Sequence, residues 1–209
     1  MKKLIAGVQH FQKDSFRAKQ PLFEELAKGQ QPLALFITCS DSRIDPNLLT
    51  HTEPGELFVV RNAGNIVPPY ESGNGGEAAT IEYAVNVLKV DDIIVCGHSH
   101  CGAMAGTLAP DSLTDLPAVR DWISHAVDSG NSVPDDYGPI SESPDPLMNA
   151  VEQNIFVQLE HLRSHPSVAD ALSRNEVTLH GWVYKFETGE VFAYDSTEKR
   201  FLPVDATVN

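Results

Sequence analysis

Three short stretches of consecutive apolar residues stand out in the first half of the chain. They cover residues 33–38, 57–60 and 92–96. Runs this short, with no polar alternation, are typical of parallel strands buried on both faces. Between the second and third runs, residues 77–88 carry apolar side chains at helical spacing. This order of strand, helix and strand predicts an α/β fold with a central, mainly parallel β-sheet flanked by helices.

The start of the chain predicts a helical arm. An amphipathic helix is expected over residues 14–28,. Pro21 within it is either a break or the start of a new helix, because proline has no amide hydrogen to donate. Gly29 is the expected end of the helix.

The second half of the chain predicts the rest of one domain. Its pattern assigns helices over residues 116–127 and 147–162, a surface loop rich in Pro, Gly, Ser and Asp over 129–146, and an antiparallel edge ribbon from 177–186 and 190–194,. Too little chain follows the loop to build a second core. Residues 1–209 are therefore interpreted as a single domain, with the arm over 1–30 and the α/β core over 31–209.

Composition narrows the class of protein. The 209 residues carry 15 Lys and Arg against 29 Asp and Glu, a formal net charge of −14. Such an acidic surface repels phosphate backbones, so nucleic acid and anionic membranes are poor partners. No apolar run approaches the roughly 18 residues of a membrane span, and the apolar start is too short for a signal peptide. With only three cysteines, a soluble, cytoplasmic protein is expected.

Metal-binding side chains follow two of the predicted strands. Cys39 comes directly after the first run, and His98 and Cys101 follow the third. Adjacent parallel strands would bring these side chains to one sheet edge, where two thiolates and an imidazole suit zinc with an open fourth position. A structural zinc closed by Cys96 or Asp41 is an alternative. A third interpretation places Cys39, His98 and Cys101 in the apolar core, where they bind no metal.

A second pair of polar residues lies close to the first cysteine. Asp41 and Arg43 follow Cys39 by two and four positions. An arginine beside an aspartate keeps the carboxylate ionised and fixes its direction. Such a carboxylate can accept a hydrogen bond from a metal-bound water. The alternative is an ordinary helix N-cap with a solvated arginine.

The residues around these positions resemble a known family. Segments 39–43 (CSDSR) and 98–102 (HSHCG) are similar to the zinc signature of the β-class carbonic anhydrases. Residues 55–65, 67–70, 81–84 and 180–184 also match that family. The resemblance runs from about Gln30 to about Tyr184, and its plant and cyanobacterial members are the most similar.

The resemblance implies an activity and a metal. It implies one Zn²⁺ per chain on Cys39, His98 and Cys101. Zinc-bound hydroxide, oriented by the Asp41–Arg43 pair, would attack carbon dioxide to give bicarbonate and a proton.

The resemblance also implies a substrate pocket and self-association. Gln30, Phe58 and Tyr83 match substrate-contacting positions of the plant-type members. In the family this glutamine comes across a dimer interface, so residues 1–30 would form a dimerisation arm. A homodimer or a higher even oligomer is expected. Without the resemblance, Phe58 and Tyr83 would be interpreted as core residues and Gln30 as part of a loop.

Some members of the family are gated by pH, and this chain is expected to differ from them. In their closed state the matching aspartate moves onto zinc, and bicarbonate occupies a second site made of Trp, Arg and Tyr. Arg61 and Tyr184 match two of these residues, but Phe36 replaces the tryptophan and has no N–H group to donate,. We therefore predict an open site without the second bicarbonate site. Some members have a histidine that could act as a proton shuttle, and Val87 occupies that position here. The proton released in the reaction must therefore leave through another group.

Two further functions remain open at this point. Close relatives hydrolyse carbonyl sulfide or carbon disulfide on the same framework. A zinc site can also stabilise a non-catalytic assembly module. Location within a carbon-concentrating compartment remains possible as well.

Overall fold

The computed structural model describes residues 1–72, 75–126, 137 and 143–204. The chain divides into two compact units, Met1–Gln31 and Pro32–Asn209. The N-terminal unit contains the helices α1 (Lys2–His10), α2 (Phe16–Ala18) and α3 (Gln20–Leu26), with a π-helical turn at Phe11–Ser15 between the first two.

Aromatic contacts hold the N-terminal unit together. The ring of Phe23 in α3 lies 5.2 Å from that of Phe16 and 6.0 Å from that of Phe11, centroid to centroid. α3 begins after a non-helical residue, Lys19, and has Pro21 in its first turn. Pro21 therefore starts a helix, where its missing N–H group costs nothing. The sequence pattern did not predict α1, whose apolar side chains are exposed.

The second unit is built on a six-stranded sheet. Its strands are β1 (Ala34–Cys39), β2 (Leu57–Asn62), β3 (Asp92–His98), β4 (Thr178–Tyr184), β5 (Val191–Asp195) and β6 (Arg200–Pro203). They lie in the order β2-β1-β3-β4-β5-β6. The first four are parallel, and β5 and β6 extend the edge as antiparallel strands.

The two faces of the sheet bury different amounts of apolar surface. Alternate residues of β1, such as Leu35 and Ile37, face the larger cluster. Phe36 and Ala34 face a smaller cluster on the opposite side. All six residues of β1 are buried. Because β1 is buried on both faces, its sequence is an unbroken run of apolar residues.

Helices connect the strands of this unit. They are α4 (Pro46–Thr50), α5 (Gly76–Tyr83), α6 (Gly102–Leu108), α7 (Pro117–Ile123), α8 (Pro146–Ser164) and α9 (Pro166–Ser173). A π-helical segment, Ala84–Leu88, continues α5, and the 3₁₀ turn Ser124–Ala126 continues α7. None of the helices within the described ranges is long and apolar enough to cross a membrane.

The predicted α/β architecture is confirmed, and the structure adds elements that the sequence pattern missed. The predicted ribbon is present, since β4 and β5 pair antiparallel, but β4 also pairs in parallel with β3, and β6 was not predicted. Helices α4, α6 and α9 were also missed. For α4 a signal existed: the Asp45 carboxylate accepts from the N–H groups of Asn47 and Leu48, and Pro46 follows it,. Most of the predicted loop at 129–146 lies outside the described residues.

Close packing between α8 and the sheet generates the first prediction. A methyl group added at Gly181 of β4 would lie 2.7 Å from Cγ2 of Ile155 in α8. We expect Gly181→Ala to lower the free energy of unfolding by about 1–3 kcal/mol, because a filled interface cannot accept the methyl group without displacement. Urea denaturation at fixed protein concentration measures this loss. Gly76→Ala is the control, because no atom lies within 4 Å of its added methyl group; equal stability of the two variants would contradict the packing argument.

Candidate metal centre

The structure brings the three predicted ligands together at one edge of the sheet. Cys39 is the last residue of β1, His98 is the last residue of β3, and Cys101 is the N-cap of α6. One ligand atom from each residue lies within 4.8 Å of the others. All three side chains are buried. Their separations suit a single ion bound by two sulfurs and one nitrogen.

The imidazole of His98 is oriented for metal binding. Its Nδ1 lies 2.8 Å from the carbonyl oxygen of Ser99. Because a carbonyl only accepts, Nδ1 carries the proton and Nε2 presents a lone pair. Nε2 is buried and has no hydrogen-bond partner among the described residues. A buried acceptor without a partner is costly, and a bound cation would remove this cost.

The two thiols also fit a cation. The Cys101 thiol hydrogen-bonds the Cys39 sulfur, which lowers the pKa of Cys39 and raises the pKa of Cys101. Ionisation of the Cys39 thiol therefore disfavours ionisation of the Cys101 thiol, because the two sulfurs lie within 4.8 Å of each other,. A divalent cation stabilises both thiolates at once, so the donor set fits Zn²⁺. Burial raises the pKa of the third thiol, Cys96, to about 12, and that side chain lies in the small cluster on the other face.

Asp41 and Arg43 form a two-point ion pair beside the ligands. The Arg43 guanidinium donates from Nε to Oδ1 at 2.9 Å and from Nη2 to Oδ2 at 2.7 Å. The Arg43 backbone N–H also donates to Oδ1. These hydrogen bonds hold the pKa of Asp41 well below its usual range. The carboxylate is thus ionised and fixed in direction, and it does not belong to the group of three ligands.

Phe186 contacts both parts of the centre, and sequence reasoning missed it. Its ring stacks on the His98 imidazole at a centroid distance of 4.7 Å, and the Arg43 guanidinium carbon lies 4.6 Å from its centroid. Stacking and cation–π contacts of this kind restrict both partners. An aromatic residue two positions after a strand carries no functional signal in the sequence.

Ser99 fixes the segment that carries Phe186. Its hydroxyl accepts from the Phe186 backbone N–H at 2.9 Å and donates to the Glu187 carboxylate at 2.7 Å. The Ser99 backbone N–H donates to the carbonyl of Tyr184. His100, which adjoins Cys101, points to Glu187, with 3.6 Å between Nε2 and Oε2. The turn between the two ligands is therefore tied to the end of β4.

The structure brings two of the three residues assigned to substrate binding into contact. Phe58 of β2 and Tyr83 of α5 are in contact, with ring centroids 6.0 Å apart. Phe58 faces the same side of the sheet as the alternate β1 residues Leu35 and Ile37. Tyr83 is 45% exposed and is not a core residue. Gln30 belongs to the N-terminal unit and is exposed.

The fold thus places two cysteines and one histidine that could hold a metal ion at the carboxyl edge of a parallel sheet. Comparisons with known proteins identify the family. A family model described as carbonic anhydrase matches residues 34–191. The chain belongs to the carbonic anhydrases, in their β class, a family of lyases.

Individual relatives cover nearly the whole chain. A carbonic anhydrase of Synechocystis is 48% identical over 210 residues, covering 100% of this chain and 76% of the relative. One of Pseudomonas aeruginosa is 48% identical and covers 97% of this chain and 91% of its own. The solved structure of the β-carbonic anhydrase CcaA is 48% identical, with a TM-score of 0.90, and covers 100% of this chain and 94% of its own.

The contacts of Phe186 generate a second prediction. Phe186→Leu keeps an apolar side chain but removes the stacking on His98 and the cation–π contact with Arg43. We expect kcat/KM for carbon dioxide hydration to fall about tenfold, because the Asp41–Arg43 pair loses its orientation. Stopped-flow assays with a pH indicator measure this change.

Phe192→Leu is the matched control, because the Phe192 ring also carries a cation–π contact, with Lys185 at 4.3 Å, but lies on β5. An activity loss of the same size in both variants would show that a general loss of stability, and not the position of Phe186, is responsible.

Proposed function

We propose that this chain interconverts carbon dioxide and bicarbonate with one Zn²⁺ held by Cys39, His98 and Cys101. The observation that carries the proposal is the buried Nε2 of His98, which has no partner in the described part of the chain and faces a site with two thiols. When bound, zinc acts as a Lewis acid that lowers the pKa of water toward neutrality. Three protein ligands would leave a fourth position for that water.

Asp41 is the residue proposed to orient the attacking water. An ionised carboxylate offers about four acceptor positions. Arg43 occupies two on Oδ1 and one on Oδ2. One acceptor position on Oδ2 therefore remains, and it could accept a hydrogen bond from a water at the metal site and so orient that water toward the substrate. Arg43 is itself held, because Nη2 also donates to the His100 carbonyl at 3.1 Å.

The substrate-binding role of Gln30, Phe58 and Tyr83 is part of the proposal. Carbon dioxide is small and apolar, so the paired rings of Phe58 and Tyr83 suit it better than polar side chains do,. Gln30 would add a single donor for a substrate oxygen and would come from a second copy of the chain. Tyr83 is exposed in the isolated chain, as expected for a residue completed by a partner.

We also propose that the second bicarbonate site of pH-gated relatives is absent. Phe36 is fully buried and packs edge-to-face on Trp182 at 6.0 Å. The guanidinium of Arg61 donates to the backbone carbonyls of Cys39, Asp41 and Ile44 at 2.8–3.1 Å. Three of the five N–H groups of this guanidinium are thus engaged by backbone carbonyls,. Phe36 offers no hydrogen-bond donor to an anion.

Exposed apolar side chains support self-association. Val59 on the edge strand β2, and Tyr83 and Val87 on α5 and its continuation, are 36%, 45% and 58% exposed. Relatives from Sordaria macrospora, 30% identical over 92% of this chain with a TM-score of 0.63, are described as tetrameric. Burial of these side chains against a second copy would remove apolar surface from water. We propose a homodimer or a higher even oligomer.

The third prediction tests the reaction. We expect purified protein to hold one zinc per chain and to hydrate carbon dioxide in stopped-flow assays from about pH 6.5 to 9, the range around a zinc-bound water. Asp41→Asn is expected to keep the zinc, because Asp41 is not a ligand, and to lose roughly 10- to 100-fold in kcat/KM. Removal of the metal by a chelator should abolish activity, and added zinc should restore it.

The control for this experiment is Asp170→Asn. Asp170 is also an aspartate paired with an arginine, Arg174, but on the exposed surface of α9, and its loss should change kcat/KM by less than about twofold. Zinc-loaded protein that hydrolyses carbonyl sulfide but does not hydrate carbon dioxide would replace the proposal with the first alternative function. Zinc-loaded protein without any turnover would indicate an assembly module.

The fourth prediction tests self-association. Val87→Lys places a charge in the proposed interface, where it would lose its hydration. We expect a lower molar mass in size-exclusion chromatography with light scattering, together with lower activity. Val119→Lys is the control, because Val119 is also exposed but lies on α7. A monomeric, fully active natural chain would contradict the proposed contribution of Gln30 from a partner.

A further inference from the structure

The peptide group that joins Ala63 to Gly64 is hydrogen-bonded at both ends. Its N–H group, on Gly64, donates to the Sγ atom of Cys39 at 3.3 Å. Its carbonyl, on Ala63, accepts from the indole N–H of Trp122 at 2.8 Å. Because a peptide group is planar and rigid, fixing its carbonyl also fixes the direction of its N–H. Two hydrogen bonds, joined by this peptide group, thus connect α7 to the sulfur of a proposed metal ligand.

The next peptide group is held from α8. The side-chain amide of Asn154 donates to the carbonyl of Gly64 at 3.0 Å, and Gln158 donates to the oxygen of that amide at 2.8 Å. Asn154 and Gln158 are 2% and 0% exposed. A buried network with both partners in place is rigid. The backbone at Gly64 is therefore restrained from two helices.

Gly64 has little freedom to adopt another position. Its φ angle is +82°, a region that favours glycine, and a methyl group there would lie 2.9 Å from Cβ of Ala103,. The glycine lets the backbone approach Cys39 closely, and the contacts from Trp122 and Asn154 hold it there. From this restrained position the Gly64 N–H donates to the Sγ atom of Cys39.

We propose that Trp122 is a positioning residue of the metal centre, which acts through the Ala63–Gly64 peptide on the thiolate of Cys39. Donation to the carbonyl polarises the peptide and strengthens its N–H as a donor. A stronger N–H···S hydrogen bond withdraws electron density from the sulfur and holds its lone pair in a constant direction. The bound metal then meets a less electron-rich ligand and a more ordered site. This inference rests on the proposed zinc site but not on turnover.

Loss of the indole donor is the change that tests this proposal. Trp122 is partly buried against the core, and Trp122→Phe keeps an aromatic ring but cannot donate. In the cobalt-substituted protein, we expect the sulfur-to-cobalt charge-transfer band of Trp122→Phe to move to lower energy, because the sulfur becomes more electron-rich. In the zinc protein, competition with a chelator should show an affinity about tenfold weaker, because the loss of a fixed direction for Sγ outweighs its higher electron density.

Trp182→Phe is the matched control, because Trp182 is the only other tryptophan of the chain and packs on Phe36 in the smaller cluster. We expect it to change neither the band nor the zinc affinity. A second variant carries benzothienylalanine at position 122, which retains the bicyclic shape and replaces the N–H group with sulfur. This variant should reproduce the band shift even if Trp122→Phe is poorly folded.

Two outcomes would overturn the proposal. If the benzothienylalanine protein is folded and has the band and zinc affinity of the natural chain, Trp122 contributes packing alone. If the natural chain binds neither zinc nor cobalt through its thiols, both this inference and the proposed function fail. Binding without turnover would contradict only the proposed function.

Discussion

Parallel hydrogen bonding between β1 and β3 is the constraint on which the metal centre depends. The register pairs Thr38 with Cys96, so that Cys39 and His98 leave the sheet at the same edge. The Thr38 hydroxyl adds a hydrogen bond to the Cys96 carbonyl at 2.9 Å. A slip of one residue would exchange the two faces of a strand that is buried on both sides. The separation of the ligands therefore follows from the packing of the whole sheet.

Three groups of the centre each have at least one contact that is already fixed. His98 donates to Ser99, Cys39 accepts from Gly64, and Asp41 is bound by Arg43. The acceptor positions that these contacts leave unused, on His98, Cys39 and Asp41, are the ones that a metal ion or a water would use. Such preorganisation lowers the reorganisation needed when charge develops in a reaction. It also explains how a few polar side chains can stay oriented for a reaction next to the apolar core.

The supporting contacts come from distant parts of the chain. Trp122 reaches the Ala63 carbonyl across 59 positions of sequence, and Ser99 holds Glu187 across 88. Phe186 links the imidazole of His98 to the guanidinium of Arg43. The centre is thus supported by α7, α8 and the end of β4 as well as by the strands that carry the ligands. Changes far from the ligands are expected to alter metal binding for this reason.

The sequence by itself determined the α/β class, the first three strands, the grouping of Cys39, His98 and Cys101 at one sheet edge, and membership of the β-class carbonic anhydrases. These features depend on local periodicity and on residues next to strand ends, which neighbours in sequence reveal. The roles of Asp41 and Arg43 were predicted in the same way and remain proposals. Only the tertiary structure decided that β4 runs parallel to β3, that Tyr83 is exposed, and that Phe186 and Trp122 approach the centre. Contacts between residues far apart in sequence depend on how whole elements pack, and no local pattern records that packing.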